Sequence, residues 1–187
     1  MVRFAETFAR AQATEPHDPT AMSLATATRD GRPSVRMVLL KGVDARGFVF
    51  YTNRDSRKGD ELEANPRAAL CLYWPALGVQ VRVEGAVERT TDEESDAYFA
   101  SRPRDSQLGA WASRQSRPLA NHALLTERFA DLQADYHDRA VPRPRWWGGY
   151  RVLPERIEFW KSGPHRLHLR ELYTRDGVGW RIELLNP

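Results

Sequence analysis

Two Asp-Gly dipeptides, Asp30-Gly31 and Asp176-Gly177, separate runs of residues that favour strands. Asp-Gly readily adopts the left-handed backbone of two-residue hairpin turns, so each dipeptide predicts two adjacent antiparallel strands. The first turn lies between the strand candidates 22–28 and 33–40, and the second between 166–175 and 179–184. Repeated short hairpins restrict the chain to a largely antiparallel sheet.

The remaining sequence patterns predict further strands and four helices, which together indicate an α+β architecture. The predicted strands, including those of the hairpins, are 22–28, 33–40, 47–52, 67–74, 79–88, 149–153, 156–161, 166–175 and 179–184. The predicted helices are 4–12, 56–65, 91–100 and 118–136, and the third opens with the capping-box pair Thr91 and Glu94. The expected fold is mainly β with α: one domain over 1–187, with an N-terminal helix and linker at 1–17. A helical insertion at 91–140 is expected beside an antiparallel barrel.

Composition excludes several classes of function. The net charge of +3 is small for 187 residues, and the arginines are interspersed with acidic residues, which disfavours nucleic-acid binding. Cys71 is the only cysteine, so neither a disulfide framework nor a cysteine-rich metal site is expected, and the histidines lack metal-ligand spacing. No long apolar run or signal-peptide core is present. A cytoplasmic protein with no metal is therefore expected.

The segment 157–170 carries three functional candidates at alternate positions, Arg166, His168 and Arg170. On a strand, these side chains would share one face, while Leu167 and Leu169 would point to the other. Guanidinium and imidazole groups together suit an anion-binding surface. A solvated strand face explains the same pattern equally well.

Three further clusters contain groups that bind oxyanions. The first is 36–41, which has the pattern of a buried strand with a cation at each end, and whose simplest interpretation is a core strand. The second joins Tyr51 and Thr52 to Arg57 and Lys58 at a predicted helix start, where phosphate is attracted, although a solvated helix start would explain the two cations as well. The third is 98–116, which is rich in hydroxyl, guanidinium and amide donors around a predicted helix break. This third cluster favours a phosphate site over a surface linker.

In order and spacing, these clusters resemble the pyridoxine (pyridoxamine) 5′-phosphate oxidase family, over residues 18–187 approximately. Gln80, the sequence Trp147-Gly148-Gly149 and the run 158–170 also have counterparts in that family. The resemblance implies an FMN-binding split β-barrel with peripheral helices, acting as a homodimer with two FMN molecules at its interface. It also implies oxidation of pyridoxine or pyridoxamine 5′-phosphate at C4′ to pyridoxal 5′-phosphate, with O2 as acceptor and release of H2O2.

The resemblance assigns roles to individual residues. The implied FMN contacts are Arg36, Met37, Val38, Leu39, Leu40, Lys41, Tyr51, Thr52, Arg57, Lys58, Gln80, Gln115, Ser116, Trp160 and Arg170. The implied substrate contacts are Lys41, Tyr98, Arg102, Ser106, Arg166 and His168, of which Arg166 and His168 are the catalytic candidates. His168 is open to two roles, proton handling or simple hydrogen bonding.

Two positions depart from the family pattern. Leu169 replaces a usual Asp, and Leu184 replaces a common Arg. The departures leave two alternatives open: a split-barrel flavoenzyme with another substrate, such as a phenazine-pathway relative, or a non-catalytic carrier of FMN or pyridoxal phosphate. Because Leu169 would point away from the Arg166 face, its effect is expected on the support behind the site.

Overall fold

The computed structural model describes residues 1–187 and is organised around one antiparallel sheet of nine strands. The strands are β1 (Ala21–Ala27), β2 (Pro33–Leu39), β3 (Gly42–Val43), β4 (Phe48–Asn53), β5 (Arg67–Trp74), β6 (Val79–Arg89), β7 (Trp147–Lys161), β8 (Leu169–Asp176) and β9 (Gly179–Leu184). The helices are α1 (Val2–Thr14), α2 (Arg57–Ala64), α3 (Asp92–Ser101), α4 (Arg104–Ala112) and α5 (Ala123–Asp135). None of them is both long enough and apolar enough to span a bilayer.

The sheet curls into a half-barrel because β7, which pairs with β6 along one edge, changes partner along its other edge. The main strand order is β2-β1-β5-β6-β7-β4-β3, and β8 and β9 branch from β7. Residues 147–152 of β7 pair with β4, whereas residues 156–161 pair with β8. The register shifts between Glu84 and Gly85, where a Cβ on Gly85 would lie 1.9 Å from the Leu153 carbonyl oxygen. Glycine therefore permits the close approach at this bulge.

Helix α1 covers the apolar interior of the half-barrel. Phe4, buried to 1% exposure, packs edge-on against Phe48 with ring centroids 4.8 Å apart. Trp74 is equally buried, and its indole N–H donates to the Pro19 carbonyl at 2.9 Å. Burial of these aromatic side chains joins the helix to the sheet and stabilises both.

Helices α3, α4 and α5 form a second, smaller core beside the sheet, around Phe99, Leu108, Val141 and Trp147. The predicted capping box at the start of α3 is confirmed. The apolar stripe of α5 is confirmed as packing, since Phe129, Leu132 and Tyr136 are half-buried against this cluster. The helices thereby hold the segment 98–116 against the end of β4 and the start of β7.

Several predicted boundaries were wrong. The predicted strands 149–153 and 156–161 are one strand, β7, which continues through a bulge at Glu155, the residue left without a partner on β6. The predicted helix 118–136 begins only at Ala123, and the predicted helix break within 98–116 contains a further helix, α4. The strand expected over 166–175 begins at Leu169.

The interpretation of 36–41 as a buried core strand was also wrong. β2 is one of the edge strands of the sheet, and its odd-numbered side chains are exposed, including Val35 at 69% and Met37 at 63%. An apolar stripe on an exposed edge is uncommon in a monomer and typical of a surface covered by another chain.

Candidate functional site

A cavity of about 1000 Å³ lies where the β2 edge, the end of β4, the start of α2 and the α3–α4 pair meet. Its lining contains five cationic side chains and no carboxylate; the five are Arg36, Lys41, Arg57, Lys58 and Arg102. Hydroxyl and amide groups of Thr52, Ser106, Gln115 and Ser116 lie among them. Such a donor set, with an excess of positive charge in a concave site, suits an anionic ligand.

Lys58 forms one group of donors in the cavity. β4 ends at Asn53 and α2 begins at Arg57, so this side chain projects from the first turn of the helix. Its ammonium donates to Thr52 Oγ1 at 3.1 Å and to Gln115 Oε1 at 2.7 Å, and it has no carboxylate partner within salt-bridge distance. Burial, reinforced by the charge of Arg36, lowers the pKa of Lys58 to about 8. An ammonium held in this state is stabilised by an incoming anion.

Ser116, beside Gln115, has a left-handed backbone with φ of 67°. Non-glycine residues adopt this conformation at a cost, and in folded proteins it is often concentrated at functional sites. Ser116 lies between two residues that contact the start of α2: Gln115, which accepts from Lys58, and Arg117, which donates to the Asp55 carbonyl and to Asp60.

An aromatic stack forms another wall of the cavity. The rings of Tyr51 and Tyr98 are 4.1 Å apart and nearly parallel, and Trp147 lies 5.5 Å from Tyr51. Arg102 lies over Trp147, with its guanidinium carbon 4.7 Å from the ring. Arg102 Nη1 is buried without an acceptor, and burial lowers the pKa of the group. A buried donor with no acceptor in the chain is suited to a ligand oxygen.

An ion-pair network anchors α3, which carries Tyr98 and Arg102, to the sheet. The buried Arg151 of β7 donates to Glu94 at 2.9 Å, and Arg46 reaches the same carboxylate at 2.8 Å. Hydrogen bonds from Arg151 and Arg46 lower the pKa of Glu94 to about 2. Since Glu94 also closes the capping box, the start of α3 is tied to β7 at one carboxylate.

The structure brings most of the predicted site residues into this cavity. Those in the lining are Arg36, Met37, Val38, Leu39, Lys41, Tyr51, Thr52, Arg57, Lys58, Tyr98, Arg102, Ser106, Gln115 and Ser116. Those outside it are Leu40, Gln80, Trp160, Arg166, His168 and Arg170. The side chain of Leu40 is 3% exposed and belongs to the barrel core.

The other outlying residues form a second group across the sheet. Gln80, Trp160 and Arg170 pair in register on β6, β7 and β8. Arg170 Nε donates to Glu158 Oε1 at 2.8 Å. The His168 ring lies 4.6 Å from Trp160. This row is separate from the cavity lining of the same chain.

The predicted alternation of Arg166, His168 and Arg170 on one strand face was wrong. Pro164–Arg166 is a 3-10 turn in which Arg166 has φ of 64°, and only Arg170 lies on β8. The turn is tight: a Cβ on Gly163 would lie 2.2 Å from the Leu167 carbonyl oxygen. The Gly163 N–H donates to His168 Nδ1 at 3.2 Å, so the neutral imidazole carries its proton on Nε2.

Sequence reasoning assigned no site role to Trp147 or Glu61, although both shape the site. Trp147 lines the cavity and extends the tyrosine stack, and Glu61 lies behind it, bonded to both Arg36 and Arg57. The i, i+4 spacing of Arg57 and Glu61 on one helix was a signal for the second. No sequence signal placed Trp147 beside Tyr51, because their contact depends on the β4–β7 pairing.

Comparison with known proteins agrees with this geometry. Residues 8–134 match the family model for pyridoxamine 5′-phosphate oxidase, and residues 147–187 match that for the pyridoxine 5′-phosphate oxidase C-terminal dimerisation region. The pyridoxine/pyridoxamine 5′-phosphate oxidase of Anaeromyxobacter dehalogenans is 59% identical over 187 residues, covering 100% of this chain and 94% of that protein. The same enzyme of Rubrobacter xylanophilus is 63% identical over 171 residues, covering 91% and 79%.

Two solved structures share the fold. The first is PhzG from Burkholderia lata 383 in complex with tetrahydrophenazine-1-carboxylic acid, with a TM-score of 0.91 and 35% identity, covering 100% of this chain and 90% of that one. The second is a pyridoxamine 5′-phosphate oxidase-related, FMN-binding protein from Nostoc punctiforme, with a TM-score of 0.78 and 19% identity, covering 99% and 96%.

The curled antiparallel sheet with its lateral helices is therefore a split barrel of the type found in FMN-binding proteins. Within that class, the chain belongs to the pyridoxine/pyridoxamine 5′-phosphate oxidase family, whose members are oxidoreductases.

Proposed function

We propose that this chain catalyses the FMN-dependent oxidation of pyridoxine 5′-phosphate and pyridoxamine 5′-phosphate to pyridoxal 5′-phosphate, with O2 as acceptor and H2O2 as the second product. The observation that carries this proposal is the cavity lined by five cations and no carboxylate, in a chain of this family. A phosphate-bearing cofactor and a phosphate-bearing substrate together supply the negative charge that the cavity lacks.

The donor set fits the cofactor. Arg57, Lys58 and Ser116 present cations and a hydroxyl at the first turn of α2, where a phosphate is also attracted by the helix dipole. The unpaired edge of β2 offers main-chain donors and acceptors to a flat, heteroatom-rich ring. When bound, FMN would accept two electrons from the substrate and pass them to O2.

The row of Gln80, Trp160 and Arg170 would complete the cofactor site of a second subunit. These residues do not line the cavity of their own chain, and 147–187 matches a dimerisation region. The exposed apolar side chains of Val35 and Met37 border the cavity and suit coverage by that subunit. The proposed assembly is a homodimer in which each FMN contacts both chains.

Substrate phosphate would bind Lys41, Tyr98, Arg102 and Ser106. The buried Nη1 group of Arg102, which has no acceptor within the chain, supports this assignment. Arg166 and His168 would approach the substrate ring from the second subunit. Because His168 Nδ1 already accepts from Gly163, the neutral ring offers a proton donor at Nε2. His168 is therefore better placed to donate a hydrogen bond to the reacting substituent than to remove a proton from it.

Oxygen uptake by the FMN-loaded protein tests the proposal. Pyridoxamine 5′-phosphate should be oxidised and its dephosphorylated form should be a much poorer substrate, since the cationic cavity recognises phosphate. Arg102→Gln should raise KM for the phosphate substrates by about tenfold or more, as expected for loss of a charged hydrogen bond, without changing the Kd for FMN. A protein that binds no flavin, or that binds it and does not turn over either phosphate, would refute the proposal.

A second candidate function is oxidation of a phenazine precursor, favoured by the similarity to PhzG and by Leu169 and Leu184. It predicts FMN binding without turnover of vitamin B6 phosphates, and activity on a reduced phenazine carboxylate. The higher identity to curated B6-phosphate oxidases places it second. The single-domain organisation of 1–187 and a cytoplasmic location stay predictions from the sequence.

A further inference from the structure

Glu61 is a buried carboxylate behind the cavity, on α2, with 4% of its side chain exposed. It does not line the cavity, yet it contacts two residues that do. Arg57 Nε donates to Glu61 Oε1 at 2.9 Å, and Arg36 Nη2 lies 3.3 Å from Glu61 Oε2. One carboxylate therefore holds a cation of β2 and a cation of α2 in a fixed relation.

The hydroxyls of Thr26 and Ser34 also donate to Glu61 Oε2. Burial by itself would raise the pKa of Glu61, but these hydrogen bonds, that from Arg57 and the charge of Arg36 outweigh it and lower the pKa to about 2. The carboxylate is therefore ionised throughout the neutral range. Its position is set by the β1–β2 hairpin as well as by its own helix.

Arg57 is held at one nitrogen only. Its Nε is bonded to Glu61, while neither terminal nitrogen has an acceptor within the chain. Its side chain is otherwise 64% exposed, so without Glu61 it would populate many rotamers. The Nε contact leaves the two terminal NH2 groups of this cavity-lining residue available for two oxygens of one phosphate.

We propose that Glu61 is a positioning residue for the cofactor phosphate, which orients Arg57 and Arg36 from behind the cavity. This inference rests on the proposed function, because it takes FMN as the ligand. The inference predicts a change in FMN affinity opposite in sign to the change expected from charge alone. Removing a negative charge near a phosphate should tighten binding by Coulomb's law, whereas loss of positioning should weaken it.

The test compares Glu61→Gln with Glu63→Gln. Both substitutions neutralise a carboxylate on α2, but Glu63 is 67% exposed and pairs only with Arg89 on the surface. The Kd values for FMN and for riboflavin, which lacks the phosphate, are measured by flavin fluorescence on the apoprotein. Glu61→Gln should weaken FMN binding by about tenfold, the worth of one charge-assisted hydrogen bond, and leave riboflavin within twofold. Glu63→Gln should change neither.

A Glu61→Gln protein that binds FMN as tightly as wild type, or more tightly, overturns the inference, as does equal weakening of FMN and riboflavin. A wild-type protein with no preference for FMN over riboflavin overturns the proposed function and the inference with it. Arg57→Lys is an independent test if Glu61→Gln does not fold. Lysine keeps the charge, but its donors all lie on one nitrogen, which cannot both hold Glu61 and present a planar pair of donors to one phosphate, so FMN binding should weaken about tenfold. Unchanged binding in Arg57→Lys would also overturn the inference.

Discussion

Lys58 gives the sharpest quantitative prediction, because its pKa lies close to neutrality. Burial lowers that pKa from the ordinary 10.5 to about 8 in the protein without ligand. A phosphate beside the ammonium favours its charged form, so FMN should bind the protonated state. The protonated fraction falls from about nine-tenths at pH 7 to about one-tenth at pH 9, which should weaken FMN binding about tenfold.

Over the same pH range, the free energy of unfolding of the apoprotein should rise while its affinity for FMN falls. The unfolded chain keeps the Lys58 proton up to about pH 10.5, whereas the folded chain loses it near pH 8. Since the unfolded state then binds more protons, the free energy of unfolding rises with pH, by about 1 kcal/mol between pH 7 and 9. The residue therefore destabilises the empty protein at neutral pH and is stabilised when ligand binds.

The assay is a fluorescence titration of apoprotein with FMN and riboflavin at pH 7, 8 and 9, with urea unfolding at each pH. The side chain in Lys58→Arg stays charged throughout, and that in Lys58→Met is never charged. Both variants should therefore lose the part of the pH dependence of FMN binding, and of the free energy of unfolding, that is due to Lys58. Riboflavin reports any titration of the flavin ring itself. A wild-type Kd for FMN that stays flat from pH 7 to 9, or the same slope in Lys58→Met, would refute the reasoning.

Other substitutions test the support of the site. Gly149→Ala should cost about 1–3 kcal/mol and weaken substrate binding, because its Cβ would lie 2.7 Å from the Tyr51 ring; unchanged calorimetric stability would contradict this. Gly109→Ala, on α4 with nothing within 4 Å, should instead stabilise by about 1 kcal/mol in the same scan. Thr91→Ala removes a confirmed N-cap and should cost about 1 kcal/mol in urea unfolding; a loss near zero would show that the cap is dispensable. Leu169→Asp, at an exposed strand start, should change KM by no more than about twofold, and a large change in KM without a change in stability would count against the expected support role.

The hairpins of the fold were predictable because their determinants are local. Gly31 and Gly177 have positive φ values of 86° and 54°, which glycine adopts readily, and each lies in the connection between two paired antiparallel strands. Helix α4 was missed because its N-cap, Pro103, supplies no side-chain cap, and proline more often indicates a break.

The site was predictable residue by residue but not in its arrangement. Resemblance supplied the cavity residues, yet it could not separate them from the row at Gln80, Trp160 and Arg170 within one chain. The departure of Arg166 from the strand depends on the left-handed turn after Gly163, which alternation in sequence cannot reveal. The exposure of β2 was missed because an apolar strand has the same pattern whether its own core or another chain covers it.

The central claim is tested most directly by product stoichiometry with FMN-loaded protein and pyridoxamine 5′-phosphate. The proposed reaction predicts one pyridoxal 5′-phosphate and one H2O2 for each O2 consumed, with activity that scales with bound FMN. Protein fully loaded with FMN that forms no pyridoxal 5′-phosphate from either B6 phosphate would contradict the claim.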